Sequence, residues 1–99
     1  MNEDTLRAAH RHSIKHRSEI IKSLMCGCFY CLRTYPHESI ETWLEEGDGT
    51  ALCPECSIDS VIGDASGFDV TDPAFLLAMN AFWFERTAKW DERAGGGQV

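Results

Sequence analysis

The chain has no run of eighteen apolar residues, so no segment reads as a helix long enough to cross a bilayer. Its start, Met1-Asn2-Glu3-Asp4, lacks the basic stretch followed by an apolar one that a secretory signal needs, and a cytoplasmic location is expected. Basic residues are scarce: nine Lys and Arg stand against sixteen Asp and Glu, a formal net charge of −7 at pH 7. That balance argues against a surface that coats nucleic acid or anionic lipid along its whole extent. No glycine-rich loop carries the lysine of a phosphate cradle, since Gly63-Asp-Ala-Ser-Gly67 has none. No nucleophile, base and orienting group fall into a catalytic pattern, and nothing repeats except the paired cysteines. At 99 residues the chain fits one small domain, which buries only about two-thirds of its surface, so a large internal active-site cavity is not expected. What is present is 43% hydrophobic and 25% charged, with three Trp, five Phe and two Tyr, which excludes wholesale disorder.

The charge is uneven. Arg7, Arg11, Lys15, Arg17 and Lys22 face only Glu19 between residues 6 and 22, while the remainder is strongly acidic. Such a segment is either an arm that reaches another molecule or a strap neutralised by its own acidic body, and the strap is the favoured reading. Asp4 or Thr5 can cap a helix running to about Ser23, with Leu6, Ile14 and Ile21 along one thin stripe. Residues 1–24 therefore read as a basic N-terminal helix. Residues 25–93 read as a four-cysteine domain closed by an aromatic helix, and 94–99 as a flexible tail. Within the domain, Met25 to Cys31 is expected to turn between short extended pieces. Pro36 to Glu46 is expected to be helical, because Ile40, Trp43 and Leu44 share a face before the Gly47-Asp48-Gly49 stop. Thr50-Ala51-Leu52 suits a strand, Ser57 to Ile62 a short helix closed by Gly63, and residues 64–71 a loop. Thr71 or Asp72 before Pro73 starts a helix whose Phe75, Leu76, Met79, Phe82, Trp83 and Trp90 should dock on the cysteine-rich centre.

Cys28-x-x-Cys31 and Cys53-x-x-Cys56, separated by twenty-one residues, form the most informative pattern. Two residues between cysteines let both sulfurs turn toward one ion, and two such turns complete the tetrahedral four-thiolate shell that Zn²⁺ prefers. One structural zinc is the favoured reading, since metal binding would supply folding energy that a core this small lacks. Iron fits four thiolates too, but nothing selects it. The redox alternative would place Cys53, before Pro54, as a thiolate at a helix N-terminus, and leaves the second pair unexplained. Symmetric knuckles usually carry Gly after the second Cys, where this chain has Leu32 and Ser57. Ser57 suits a helix, which favours a small α+β, treble-clef-like domain over a zinc ribbon. Cys26 is read as a spare, packed thiol rather than a ligand.

His12 and His16, four apart on the expected helix with Glu19 beyond, could converge on a second metal, but the surrounding Lys and Arg oppose a cation. Nucleases of the HNH type also frame a site with two Cys pairs. They need a catalytic His before the second pair and another His or Asn behind it, and here only His37 and Asp59 are on offer. Asp64, Asp69 and Asp72 read as turn and cap residues rather than a calcium loop, and Glu45-Glu46 as a solvated end.

Cys26-Gly-Cys-Phe-Tyr-Cys31, Ile40-x-x-Trp43, Thr50-Ala-Leu-Cys-Pro-x-Cys56, Ile58-Asp-Ser-Val-Ile-Gly-Asp-Ala-Ser-Gly67, Phe75-Leu-x-x-Met79 and Trp83-Phe84 together resemble small bacterial proteins usually labelled only "cytoplasmic protein". His16-Arg17-x-Glu19-Ile20 resembles that family's opening segment, and the likeness spans roughly residues 10–84. Many members carry Gly at Ser57 and Pro at Asp69, and the first of these departures weakens the glycine-based preference for a treble clef. The resemblance implies a cytosolic zinc-binding protein with no activity attached to it. The expectation is therefore a noncatalytic, zinc-stabilised interaction module that binds a protein partner or itself, the latter as a homodimer through the aromatic helix. The alternative is nucleic-acid binding through Arg7, Arg11, Lys15, His16 and Arg17, with degenerate HNH-like geometry further behind.

Overall fold

The computed structural model describes residues 2–85. The expectations for Trp90, for the far end of the aromatic helix and for the 94–99 tail fall outside them. The chain opens with α1 (Glu3–His10), capped by Asn2, whose side chain accepts from the Thr5 N–H at 2.8 Å. The expected continuous helix to Ser23 does not form. A 3-10 turn at Arg11–Ser13 follows, Ile14 is extended, Lys15 turns left-handed at φ 51°, and α2 occupies only Arg17–Ile20. The break is tertiary in origin. Backbone N–H groups that a helix would have kept go to the chain ahead: Lys15 N–H to Thr50 Oγ1 at 2.8 Å, and His16 and Arg17 N–H to the Gly49 carbonyl at 2.9 and 3.1 Å. Asp48 caps α2 from outside, accepting from both the N–H and the hydroxyl of Ser18 at 2.7 Å.

Strand β1 (Met25–Cys28) is central in an antiparallel sheet of order β2-β1-β5, with β2 at Thr34–Pro36 and β5 at Val61–Gly63. A second sheet pairs β3 (Trp43–Leu44) with β4 (Thr50–Ala51), through Trp43↔Ala51 and Leu44↔Thr50. Two expected helices are thus replaced. Over 36–46 the chain ends β2, makes a 3-10 turn at His37–Ser39 and enters β3, and the Gly47–Gly49 stretch is the loop of a hairpin. Over residues 57–62 the chain makes no helix: Ser57 is left-handed at φ 70°, and the β-branched Val61 and Ile62 pair with Cys28 and Gly27. The helix on which the treble-clef expectation rested is absent.

The pleat of β1 and β5 divides the interior. Cys26, Cys28 and Val61 join Ile20, Tyr35, Ile40, Ala51 and Cys53 in one buried cluster, with Cys31, Cys56 and Trp43 at its edge. Ile62, one residue on, belongs to the other cluster with Leu6, Ala9, Phe29, Val70, Phe75, Leu76 and Met79. The residue opposite it, Gly27, lies so close to α3 (Pro73–Asn80) and the turn before it that an added Cβ would sit 2.9 Å from the Val70 carbonyl oxygen and 3.2 Å from Leu76. Helix α3 starts as the sequence indicates, with Asp72 accepting from the Ala74 N–H at 3.0 Å and Pro73 in the first turn. It continues as a π turn over Ala81–Glu85. Through its described residues it packs on the other face of the sheet from the cysteine sulfurs: Phe75, Leu76 and Met79 fill the second cluster, and among the knuckle side chains that cluster takes in Phe29. Asp64 ties the turn before β1, accepting from the N–H groups of Leu24 and Met25 at 3.0 and 3.1 Å. Asp69 binds the Thr71 N–H and hydroxyl. No described helix is long and apolar enough to cross a membrane.

Candidate metal centre

The two Cys-x-x-Cys turns share one backbone pattern. In the first, Cys28 N–H donates to the Arg33 carbonyl and Leu32 N–H returns to the Cys28 carbonyl, at 2.9 and 2.8 Å. In the second, Cys53 N–H donates to the Ile58 carbonyl and Ser57 N–H to the Cys53 carbonyl, at 3.0 and 2.9 Å. Each first sulfur also accepts from the N–H two residues on, Tyr30 to Cys28 at 3.4 Å and Glu55 to Cys53 at 3.3 Å. The residue after each second cysteine is left-handed, Leu32 at φ 68° and Ser57 at φ 70°. Non-glycine residues thus take the left-handed conformation at the position that symmetric knuckles usually give to glycine. The closure of each turn, not the side chain, dictates the conformation.

These turns bring the four sulfurs together, all within 4.8 Å of one another. Cys28 to Cys56 and Cys31 to Cys53 each measure 3.7 Å, far beyond a disulfide bond, and all five cysteines are free thiols. A tetrahedron with metal–sulfur distances of about 2.3 Å has edges of about 3.8 Å. The donor set therefore fits a tetrahedral, thiophilic metal ion in both number and spacing. Among the described residues, this is the one group of three or more metal-binding side chains that converges.

Cys28 and Cys53 are buried, while Cys31 and Cys56 are half-buried and close the site toward solvent. Burial pushes the Cys28 and Cys56 thiols up. Burial acts on Cys53 in the same direction but is outweighed by the Tyr35 hydroxyl and by the N–H groups of Glu55 and Cys56, which hold its thiol below the ordinary range. Tyr35 is a residue that the sequence reading missed. Its hydroxyl is buried beside Cys53 and makes no hydrogen bond of ordinary geometry. Only the pairing of β2 with β1, Tyr35 opposite Cys26, brings it there.

Cys26 shares the face of β1 with Cys28 but lies outside the convergent group, buried among apolar side chains that push its thiol up to about 12. His12 and His16 take different partners. His12 Nδ1 lies 3.0 Å from the Glu19 carboxylate, with its ring edge-on to Phe68. His16 is 5% exposed, and its Nε2 accepts from the Ala51 N–H at 3.3 Å. Its Nδ1 is buried and unpaired. His37 Nδ1 lies 2.6 Å from the Ser23 carbonyl oxygen.

The basic residues singled out in the sequence are dispersed: Arg7 lies in α1, Arg11 in the 3-10 turn, Lys15 and His16 in the break, and Arg17 in α2. Arg7 pairs with Glu3 and lies over the Phe82 ring at 5.4 Å, and Arg17 lies over Trp43 at 4.8 Å. Lys15 packs against Gly47, where an added Cβ would sit 3.0 Å from its side chain, while Arg11 is exposed. No family model, curated protein or solved structure matches the chain.

Proposed function

We propose that the chain is a noncatalytic cytoplasmic interaction module held together by one structural zinc ion. Cys28, Cys31, Cys53 and Cys56 are its ligands, and the two matched knuckles make the site zinc-ribbon-like rather than a treble clef. The observation that carries this reading is the 3.7 Å sulfur spacing within a group of four thiols whose turns are duplicates of each other. Zinc is preferred over iron because a closed tetrathiolate site in a small domain needs only a redox-inert cross-link. Four protein ligands complete the tetrahedral shell and leave no position for water or substrate, which supports a structural role over a catalytic one. The interaction role is supported by apolar side chains left in solvent at the end of α2, Ile21 at 55% and Leu24 at 79% exposure, which offer contact area to a protein partner or a second copy.

The nucleic-acid alternative has weaker support. Arg7 and Arg17 are engaged with Glu3, Phe82 and Trp43, His16 is interior, and the break after His10 divides the basic face.

Cobalt substitution tests the ligand set. Co²⁺-loaded protein is expected to show the intense visible bands and thiolate charge transfer of a tetrahedral four-sulfur site. Cys26→Ala should leave that spectrum unchanged, and Cys28→Ser should weaken the charge transfer and shift the bands. A Cys26→Ala spectrum altered as strongly as that of Cys28→Ser would overturn the ligand assignment.

A further inference from the structure

On the face of the β1–β5 sheet opposite the thiols, a cleft of about 220 Å³ opens between the end of α1, the first knuckle, the chain after the second knuckle and the π turn. We infer that this cleft binds an alkylammonium group, of the kind carried by a lysine side chain or a free aliphatic amine.

The walls are aromatic and held in place. The Trp83 indole N–H reaches the Leu6 carbonyl at 3.4 Å, and the His10 ring lies against Trp83 with centroids 4.1 Å apart and planes tilted by 34°. Phe29 is fixed by its N–H on the Ser60 carbonyl at 3.0 Å, and Phe84 stands 5.7 Å from it. Asn80 donates to the Phe29 and Tyr30 carbonyls at 3.1 and 3.2 Å, locking the knuckle to α3. Ring faces carry negative electrostatic potential and attract organic cations.

Charge selects the same ligand. Asp59 lines the cleft and forms no ion pair with any described residue. His10 does not supply the missing cation, because burial holds its ring below the ordinary histidine range, only partly opposed by Asp59. One carboxylate among rings and a neutral imidazole is complementary to a single positive charge on an apolar stem. An anion would meet Asp59, and a neutral apolar group would leave that carboxylate partly desolvated and unpaired.

The cleft stands on both knuckles, so the inference rests on the metal-held fold proposed above, and the test begins with zinc-replete full-length protein of measured metal content. Amide and indole N–H resonances are followed at neutral pH and low salt during titration with N-acetyl-lysine-N-methylamide, with its neutral isostere N-acetyl-norleucine-N-methylamide, and with cadaverine. Saturable shifts at the Trp83 indole and the Phe29 and Ser60 amides are expected with the lysine compound or the diamine, and not with the norleucine compound. Binding by the lysine compound alone assigns the cleft to a peptide side chain, and binding by cadaverine alone to a free amine. Asp59→Asn, a change at an exposed position, is expected to weaken the interaction about fivefold or more. Equal binding of the norleucine compound, an Asp59→Asn variant that binds as tightly as the original, or the absence of saturable shifts in zinc-replete protein would each overturn the proposal. A preparation that holds no zinc would contradict the metal assignment instead.

Discussion

In each knuckle the residue after the second cysteine sends its N–H back to the carbonyl of the first, which fixes left-handed backbone whatever side chain is present. Leu32 and Ser57 therefore sit at φ 68° and 70° with a Cβ that disfavours the conformation. Glycine would relieve the strain, at the cost of more freedom in the unfolded chain. Ser57→Gly, whose side chain is exposed, is expected to raise stability by about 1 kcal/mol, read as a higher urea midpoint at unchanged slope. This position also shows why the four-cysteine group was legible and the turn was not. Cys-x-x-Cys spacing is a local property of the sequence, whereas the φ of Ser57 is set by hydrogen bonds that close only in the folded turn. His16 gives the second residue-scale prediction. Its Nε2 accepts the Ala51 N–H, so the ring is neutral, and burial is the main cause that holds its pKa below 6.5, against the nearby His12 backbone, Glu19 and Asp48. The unfolded chain takes up the proton more readily. The contribution of the buried ring is thus complete above about pH 6.5 and is lost as pH falls below it. Thiolate protonation works in the same direction, so the comparison that isolates the ring is His16→Gln, which keeps an acceptor for Ala51. Its midpoint should fall less between pH 7.5 and pH 5 than that of the unaltered chain.

At the scale of elements, α3 was readable because its signals are local: Asp72 caps, Pro73 opens, and Phe75, Leu76 and Met79 recur at helical spacing. Residues 36–46 were not. Ile40, Trp43 and Leu44 fit one helix face, but Trp43 lies against the thiol cluster while Leu44 points to solvent, the alternation of a strand. That strand exists because Thr50-Ala51 pairs with it, and Thr50-Ala51 is held in turn by Lys15 and His16. The N-terminal segment was misread for the same reason, since its helix is interrupted where the backbone bonds to Gly49 and Thr50. The strap reading, in which this segment folds back on its own body, matches those bonds. Gly63 marks the tightest contact of strap and sheet. An added Cβ would lie 2.1 Å from Ser23 Oγ and 2.9 Å from Ser23 Cβ. Ser23 cannot swing aside freely, because its hydroxyl donates to the Glu19 carbonyl and accepts from Ala65 N–H at 3.0 Å each. Gly63→Ala should therefore destabilise by about 2 kcal/mol, measurable as a lower urea midpoint. An unchanged midpoint would show that α2 is not seated on β5.

At the scale of the molecule, the chain builds two small cores on either face of one three-stranded sheet, and neither has the area to be a conventional core alone. The helix-side core closes by apolar packing. The other core surrounds four thiols from two turns far apart in sequence, and as thiolates these would repel one another without a cation between them. In the metal-held fold proposed above, metal binding and folding of this half would be one process. Because β1 and β5 serve both cores, loss of the metal should loosen the helices too. The −7 net charge argues against a surface that binds nucleic acid throughout, and Arg7 and Arg17, though exposed, are each engaged within the chain, with Glu3 of the same helix and with the Trp43 ring. The most direct measurement is metal content of the purified protein together with its circular dichroism before and after a strong chelator. A zinc-held fold predicts one zinc per chain, loss of the folded spectrum on chelation, and recovery when zinc is returned. Protein that holds no zinc and keeps its spectrum unchanged in chelator would contradict it.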